Sequence, residues 1–294
     1  MKSILIAAGA GLALLTVSLP GLPGADDKPA EPVNLSVNTE ADEDDPCLSS
    51  SGFFLYYASN AKGHFDHLVS YRPAANRPWP RGREVEDYVN TTVDDRGVSL
   101  TRDGVYPQFL FFATKKDKEI NNYDIYVAVK QGPRAVFTAP TPVQPVCTEA
   151  DEMHPWLSAD GRRLYFSRKT KDGWRVFVTS RQATTGAAGF GEPQLVADLP
   201  ASFHHATLSP DGKTMYLQGP VENGRWGLFA STLDGKQWSK PEPLSINAAE
   251  GKVGDVSPNL SRDGSMLYFA SDRPGGKGKL DLYVFPTAKL KKDK

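Results

Sequence analysis

The chain has 294 residues, a formal net charge of −1 at pH 7, 26 glycines and 23 prolines. A charge so close to zero provides no general attraction to nucleic acid or to anionic lipid, and the sequence therefore predicts neither as a partner. Glycine and proline both exceed average usage, which is typical of many short strands joined by turns.

The first predicted element is a secretory signal over residues 1–24. Lys2 supplies the positive charge, residues 4–19 are apolar, and small and turn-forming residues follow. The apolar run of 16 residues is shorter than the roughly 20 that span a bilayer, so the mature chain is predicted to have no membrane span. An uncleaved anchor is the alternative interpretation. Residues 25–30 are predicted to be a linker.

One pattern then recurs five times. Each copy holds a tight turn, an aromatic strand, a polar turn and a third strand, and four copies continue to a proline-marked fourth strand. The first turns contain Gly52, Gly104, Gly161, Gly212 and Gly264, at spacings of 51–57 residues. Four antiparallel strands in about 50 residues are the signature of a propeller blade. We therefore predict an all-β, five-bladed β-propeller of four-stranded antiparallel blades.

The predicted propeller covers residues 31–286. Its blades span about residues 42–87, 94–146, 151–197, 202–246 and 254–286. The fifth copy stops after its third strand, and residues 31–36 resemble the segment that ends the fourth copy. We expect residues 31–36 to complete the fifth blade, because an open ring would expose an unpaired sheet edge. Residues 287–294 are predicted to form a basic tail.

The five copies align on a leucine before each first turn: Leu48, Leu100, Leu157, Leu208 and Leu260. Three residues before it stand Asp45, Gly97, His154, His205 and Ser257. Five residues before it stand Glu43, Asp95, Glu152, Phe203 and Asp255. The first strand of each blade lines the axis, so we expect the polar members of both sets to meet at one mouth of the central channel. The candidate binding residues are Glu43, Asp45, Asp95, Glu152, His154, His205 and Asp255.

Three interpretations of these residues stay open. Imidazoles and carboxylates together suit a divalent cation at the channel mouth, and this is the one cofactor that the sequence suggests. Paired carboxyl groups suit general acid–base hydrolysis of a sugar. The third interpretation is a set of solvated polar groups. His204 is predicted to face away from His205, and His64 and His67 are predicted at the surface.

Cys47 and Cys147 are the two cysteines of the chain. Export to an oxidising compartment would allow them to pair, but one whole blade lies between them, and a disulfide needs Cα atoms within about 7 Å. The sequence leaves their pairing open. It contains no Gly-x-Ser-x-Gly, phosphate-binding glycine loop, His-Glu-x-x-His or Cys-x-x-Cys motif, and no catalytic residue is assigned.

Several motifs carry a family resemblance. The segments LSPDGK at 208–213 and LSRDGS at 260–265 resemble the WD40-like β-propeller repeat of the Tol-system periplasmic propeller. The segments FASDRPGG at 269–276, LDLYV at 280–284 and NTEADE at 38–43 are similar to repeats of peptidoglycan-associated, outer-membrane-protein-A-like proteins. The resemblance implies a periplasmic or secreted propeller without shared catalytic residues. The Tol propeller has six blades, whereas five are predicted here.

The leading interpretation is an exported, non-enzymatic propeller that binds a protein or glycan partner in the cell envelope. The alternative is a carbohydrate-active or metal-dependent enzyme that uses the carboxylates and histidines of the channel mouth. The two differ in whether the channel-mouth side chains take part in a reaction or the protein only binds a partner.

Overall fold

The computed structural model describes residues 30–85, 88–115, 121–181, 189–248 and 250–290. The predicted signal, nearly all of the linker and the end of the basic tail lie outside these residues. Within the described ranges, no helix is long and apolar enough to cross a membrane.

The chain folds into the predicted five antiparallel blades. The first strand, β1 (Val33–Asn34), belongs to the last blade. Blade 1 contains β2 (Glu43–Leu48), β3 (Phe54–Ser59), β4 (Asp66–Tyr71) and β5 (Arg83–Glu84). Blade 2 contains β6 (Asp95–Leu100), β7 (Gln108–Thr114), β8 (Asp124–Lys130) and β9 (Thr141–Pro142). Blade 3 contains β10 (Glu152–Leu157), β11 (Arg163–Thr170), β12 (Gly173–Ser180) and β13 (Gln194–Leu195).

Blade 4 has one short strand more than the others. It contains β14 (His204–Leu208), β15 (Thr214–Pro220), β16 (Trp226–Asp234), β17 (Gln237–Trp238) and β18 (Glu242–Pro243). Both β17 and β18 pair with β16. Blade 5 contains β19 (Asp255–Leu260), β20 (Met266–Ser271) and β21 (Asp281–Pro286). Two single-turn 3₁₀ helices lie at Glu222–Gly224 and Thr287–Lys289.

The N-terminal strand closes the ring, as predicted. Val33 lies opposite Val284 and Asn34 opposite Tyr283, so β1 forms the fourth strand of blade 5. The backbone N–H of Leu35 extends this pairing by donating to the carbonyl of Leu282 (2.9 Å). The last blade is therefore built from both ends of the propeller sequence, and β21 is covered rather than left as a free edge.

The apolar residues form five clusters, and each cluster lies between two neighbouring blades. The cluster that joins blades 5 and 1 contains Leu35, Leu55, Tyr57, Tyr268 and Leu282, all less than 9 % exposed. Burying one such side chain contributes about 1.5–3 kcal/mol, so the ring is held mainly by packing between blades.

The first turns of blades 3, 4 and 5 share one hydrogen-bonding pattern. In blade 3, Ser158 Oγ donates to Asp160 Oδ1 (2.5 Å), and the N–H of Arg163 donates back to Ser158 Oγ (2.9 Å). Gly161 has a φ of +70°, which a residue without a Cβ adopts freely. Equivalent contacts recur at Ser209 and Ser261. These turns fix where each innermost strand ends.

The structure settles two questions about individual side chains. Cys47 and Cys147 are free thiols; the first is buried between blades 1 and 2. His67, predicted at the surface, is fully buried, with its ring edge-on to Phe112 at 5.3 Å. The prediction for His67 was wrong because β4 is packed against blade 2, so even its polar residues are enclosed.

Candidate metal centre on the propeller axis

All five innermost strands bulge at the same position. The pairing of the first and second strands shifts register there in every blade. The residue at the bulge has a left-handed conformation: φ is 50° at Asp45, 57° at Gly97, 54° at His154, 53° at His205 and 55° at Ser257. A bulge bends the strand and re-aims a side chain, and it turns these residues out of the regular alternation.

The bulges release backbone N–H groups from the ladder, and neighbouring blades accept them. The N–H of His205 donates to Ser167 Oγ of blade 3 (2.9 Å). The N–H of Ser257 donates to Gln218 Oε1 of blade 4 (2.8 Å). A non-glycine residue held at positive φ costs about 1–3 kcal/mol and persists only where its surroundings enforce it. These hydrogen bonds help to hold His205 and Ser257 at positive φ.

Three of the five bulge residues form a compact cluster. One ligand atom each from Asp45, His154 and His205 lies within 4.8 Å of the others. Asp45 Oδ1 is 4.0 Å from His154 Nε2 and 3.9 Å from His205 Nδ1. The two imidazoles stack, with centroids 3.9 Å apart and planes 16° apart. All three side chains are buried, so blades 1, 3 and 4 meet here away from bulk water.

Two atoms of this cluster are buried without a hydrogen-bond partner in the described part of the chain: Asp45 Oδ1 and His205 Nδ1. A buried polar atom left unsatisfied costs about 1–3 kcal/mol, so such atoms need an explanation. The two atoms lie 3.9 Å apart, and a lone pair on each suits a bound cation.

The other oxygen of Asp45 is occupied. Arg96 Nε donates to Asp45 Oδ2 (2.7 Å), the N–H of Gly97 donates to the same oxygen (3.2 Å), and the Arg96 guanidinium also contacts Asp44. Burial is the largest effect on Asp45 and raises its pKa, but electrostatic interactions with Arg96 and His205 and the hydrogen bonds from Arg96 and Gly97 together outweigh it, so the pKa is lowered and the carboxylate stays ionised. Burial raises the pKa of Asp44, and repulsion from Asp45 adds to this. Asp45 therefore offers one oxygen, Oδ1, to a cation.

The imidazoles are neutral at physiological pH. Burial lowers the pKa of His205 to about 4 and, together with repulsion from His205, lowers the pKa of His154 well below its usual value. Only the neutral imidazole binds a metal, so neither ring has to lose a proton first. His154 Nδ1 lies 3.2 Å from Ser167 Oγ. When Nδ1 donates to that oxygen, the Nε2 lone pair is directed into the cluster.

The four carboxylates five residues before the leucines do not join the cluster. Thr39 donates to Glu43 through its N–H (2.9 Å) and its hydroxyl (2.6 Å), and Thr148 holds Glu152 in the same way (3.0 and 2.6 Å). The N–H of Thr91 donates to Asp95 (2.5 Å), and Asp255 is bonded by Arg273 (2.7 Å). Each ties down the loop that leads into its own blade. The structure thus separates the seven candidates into three axial residues and four bonded carboxylates.

His204 borders the cluster without joining it: its ring centroid lies 5.8 Å from that of His154, in an aromatic environment. Its ring stacks on Trp174 at 5.5 Å and meets Trp226 edge-on at 5.1 Å, and Nδ1 lies 3.1 Å from the carbonyl of Ser202. This side chain braces the interface around the bulge of blade 4.

Two neighbouring cavities lie on the side of the cluster toward the first turns. A cavity of about 10 Å³ touches Asp45, His154 and His205 and is walled by an apolar collar: Pro46, Val98, Pro155, Ala206 and Pro258. Beyond it an open funnel of about 290 Å³ reaches the turns. Trp156 and Asn259 line both, so they form the throat between them.

Sequence reasoning missed Arg96, Asp44 and Ser167. One signal was present: the position just before each bulge holds Asp44, Arg96, Met153, His204 and Val256. An arginine inside an innermost strand requires a buried partner, and the neighbouring carboxylates of blade 1 supply it. Nothing in the sequence pointed to Ser167, which comes from the second strand of blade 3.

Comparison with known proteins supports the fold. No protein-family model and no curated protein matches this chain. A GH43_1 enzyme from Xanthomonas citri is similar in structure, with a TM-score of 0.60 at 13 % identity over 88 % of this chain and 91 % of that one. The catalytic domain of a GH62 α-L-arabinofuranosidase from Coprinopsis cinerea gives 0.58 at 10 % identity over 89 % and 95 %. TolB from Acinetobacter baumannii gives 0.48 at 14 % identity over 84 % and 55 %.

Proposed function

We propose that this protein is a metal-binding β-propeller that holds one divalent first-row transition-metal ion on its axis through Asp45, His154 and His205. The observation that carries the proposal is the convergence of three buried ligand atoms from three blades, two of which have no hydrogen-bond partner among the described residues. Two imidazoles and one carboxylate favour zinc, cobalt or iron over calcium or magnesium, which prefer oxygen ligands alone.

The cluster has to contract to bind an ion, since its three ligand atoms lie within 4.8 Å of one another. Metal–ligand distances near 2.0–2.1 Å place tetrahedral ligand atoms about 3.3 Å apart. The two His–Asp45 separations of 4.0 and 3.9 Å exceed this by less than one ångström. The stacked imidazoles also turn, because their lone pairs have to converge on one point. Metal binding would thus give partners to two buried atoms that have none among the described residues.

The structural relatives that are glycoside hydrolases raise a second candidate, sugar hydrolysis. That chemistry needs two carboxyl groups that face a scissile bond. The four carboxylates next to the axis are bonded into their own blades, and a likeness at 10–13 % identity carries only the fold. The proposal therefore rests on the metal cluster. Export to the envelope, with a protein or glycan partner there, remains a proposal from the sequence.

Metal titration of the chelator-treated protein tests this function. We expect one equivalent of Zn²⁺ to bind and to raise the unfolding temperature. Asp45→Asn and His205→Asn should each weaken binding by at least tenfold, since asparagine keeps the left-handed backbone but removes a ligand. Ser167→Ala should weaken it 10–100-fold by releasing His154.

The matched controls separate metal binding from folding. His64→Ala removes a partly exposed histidine of blade 1 and should leave Zn²⁺ affinity unchanged. Ser231→Ala removes a buried serine whose hydroxyl bonds the carbonyl of Ser239 and should lower stability alone. Equal Zn²⁺ uptake by the wild type and by the Asp45→Asn, His205→Asn double variant would contradict the proposal.

A further inference from the structure

The coordination that the protein can offer to an axial ion is incomplete. Asp45, His154 and His205 supply three ligand atoms, whereas zinc and cobalt in protein sites take at least four. Closed structural sites use four protein ligands, and sites with three keep a position for a small molecule. The fourth position of this ion would face the cavity of about 10 Å³, because all three ligands line it.

The walls of that cavity supply little else for the ion. The collar of Pro46, Val98, Pro155, Ala206 and Pro258 carries no polar side-chain atom. The volume admits about one water-sized group at a time. A fourth ligand therefore comes from outside, through the throat at Trp156 and Asn259.

The charge at the cluster favours an anion in that position. Asp44 and Asp45 face one guanidinium, that of Arg96. A divalent ion on Asp45 Oδ1 leaves one positive charge without a partner in a buried place. Unpaired buried charge is strongly unfavourable, so an anionic ligand gains from entering.

The lining of the funnel indicates the shape and polarity of the rest of the anion. The five register leucines, Leu48, Leu100, Leu157, Leu208 and Leu260, all line it and form an apolar ring. They stand three residues along the strand from the metal ligands, which is about 10 Å. Near the rim the charges balance, since Arg163 and Arg262 lie beside Asp160 and Asp211. An apolar chain that starts at the metal would reach the leucine ring and be buried by it.

We propose, building on the metal site above, that the funnel binds a small linear carboxylate with an apolar chain. Its carboxylate oxygen ligates the axial ion, its first carbons pass the collar and throat, and its chain packs against the leucine ring. Asn259 stands beside the passing chain at the throat. No bond of the ligand breaks in this step.

Cobalt spectroscopy on the full chain tests the ligand and the metal separately. The chelator-treated protein is loaded with one equivalent of Co²⁺, and the visible absorption bands of the bound ion are recorded during titration with octanoate or acetate. We expect both acids to change the bands in a saturable way. Octanoate should bind at least tenfold more tightly, because the leucine ring buries its added methylenes.

Variants locate the binding route. Asn259→Asp places a negative charge at the throat with almost no change in shape, and it should weaken octanoate binding at least tenfold. Asn76→Asp makes the same chemical change at an exposed loop position of blade 1 and should leave octanoate binding as in the wild type.

The outcomes are distinguishable. Cobalt bands that form but respond to neither acid would overturn the carboxylate proposal and leave the metal site standing. Equal affinities for octanoate and acetate would overturn the role of the leucine ring. Octanoate binding of equal strength to the metal-free protein, measured by calorimetric titration, would remove the metal from the ligand site. Failure of any cobalt band to form would overturn the metal site itself, and the ligand proposal with it.

Discussion

Asp95 shows how a single buried carboxylate sets a pH dependence in this fold. Its side chain is fully buried, and the N–H of Thr91 donates to it (2.5 Å). Burial raises the pKa of Asp95 to about 6, and repulsion from Asp66 is a smaller contribution. An unfolded aspartate titrates near 3.9, so the folded protein binds more protons between about pH 4 and pH 6.

The sign of the effect follows directly. Because the folded state binds the extra proton, the free energy of unfolding decreases as pH rises from about 4 to about 6. The shift limits this contribution to about 3 kcal/mol. Asp95→Asn removes it and keeps an acceptor for Thr91. We predict that the stability of the variant relative to the wild type increases across this range.

Urea unfolding at several pH values measures this difference. Glu40→Gln changes an exposed carboxylate and serves as the control, with a difference that stays flat. If the difference in stability between Asp95→Asn and the wild type also stayed constant with pH, burial of Asp95 would not raise the pKa of its carboxyl group.

Repeated asparagines stabilise the junctions between strands. The amide of Asn38 accepts from the N–H of Leu282 (2.8 Å) and donates to its carbonyl (2.9 Å), so the side chain pairs with a strand residue as a backbone would. Asn90 pairs with His67 and Asn247 with Leu228 in the same way. In blades 5, 1 and 4, one asparagine therefore continues the ladder beyond the fourth strand.

Asn38→Ala should be destabilising, because it leaves the buried N–H of Leu282 without its partner, whereas the carbonyl of Leu282 still accepts from the N–H of Leu35. At about 1–3 kcal/mol for one unsatisfied group, we expect a loss of about 2 kcal/mol in the free energy of unfolding. Asn76→Ala, at an exposed position, is the control and should change stability by less than about 0.5 kcal/mol. A comparable loss in both variants, measured by urea unfolding, would rule out a specific role for the Asn38 amide.

The sequence predicted the elements well and the site only in part. The Ser-x-Asp-Gly turns and the aromatic strands repeat at fixed spacing, and that repeat specifies the blades and the closing strand. The bulges were not predicted. In a regular strand, side chains alternate strictly between the two faces, and this alternation places Glu43 and Asp45 on the same face. One inserted residue per innermost strand separates them, and contacts from the preceding blade, such as Ser167 to His205, hold it in place. An alignment of the five copies shows what each blade contains, but it does not show which residues of neighbouring blades are in contact.

In the molecule as a whole, the geometry of the axial cluster depends on closure of the ring. Asp45 belongs to blade 1, and blade 1 packs on blade 5 through Leu35, Tyr57 and Tyr268. The ligands from blades 3 and 4 approach from the other side. Any loosening between blades 5 and 1 would move Asp45 away from His154 and His205.

Removal of residues 1–36 tests this dependence, because it deletes β1 and Leu35. We expect an exposed edge on β21, association of chains through that edge, and a decrease in the unfolding temperature of about 10 °C from the lost strand pairing and burial. Zn²⁺ affinity should decrease as well, although no ligand has been removed. Removal of residues 1–29 leaves every described strand in place and is the control. Light scattering measures the association, thermal unfolding the stability and metal titration the Zn²⁺ affinity. A monomeric 37–294 chain with wild-type metal affinity would show that the axial cluster does not depend on ring closure.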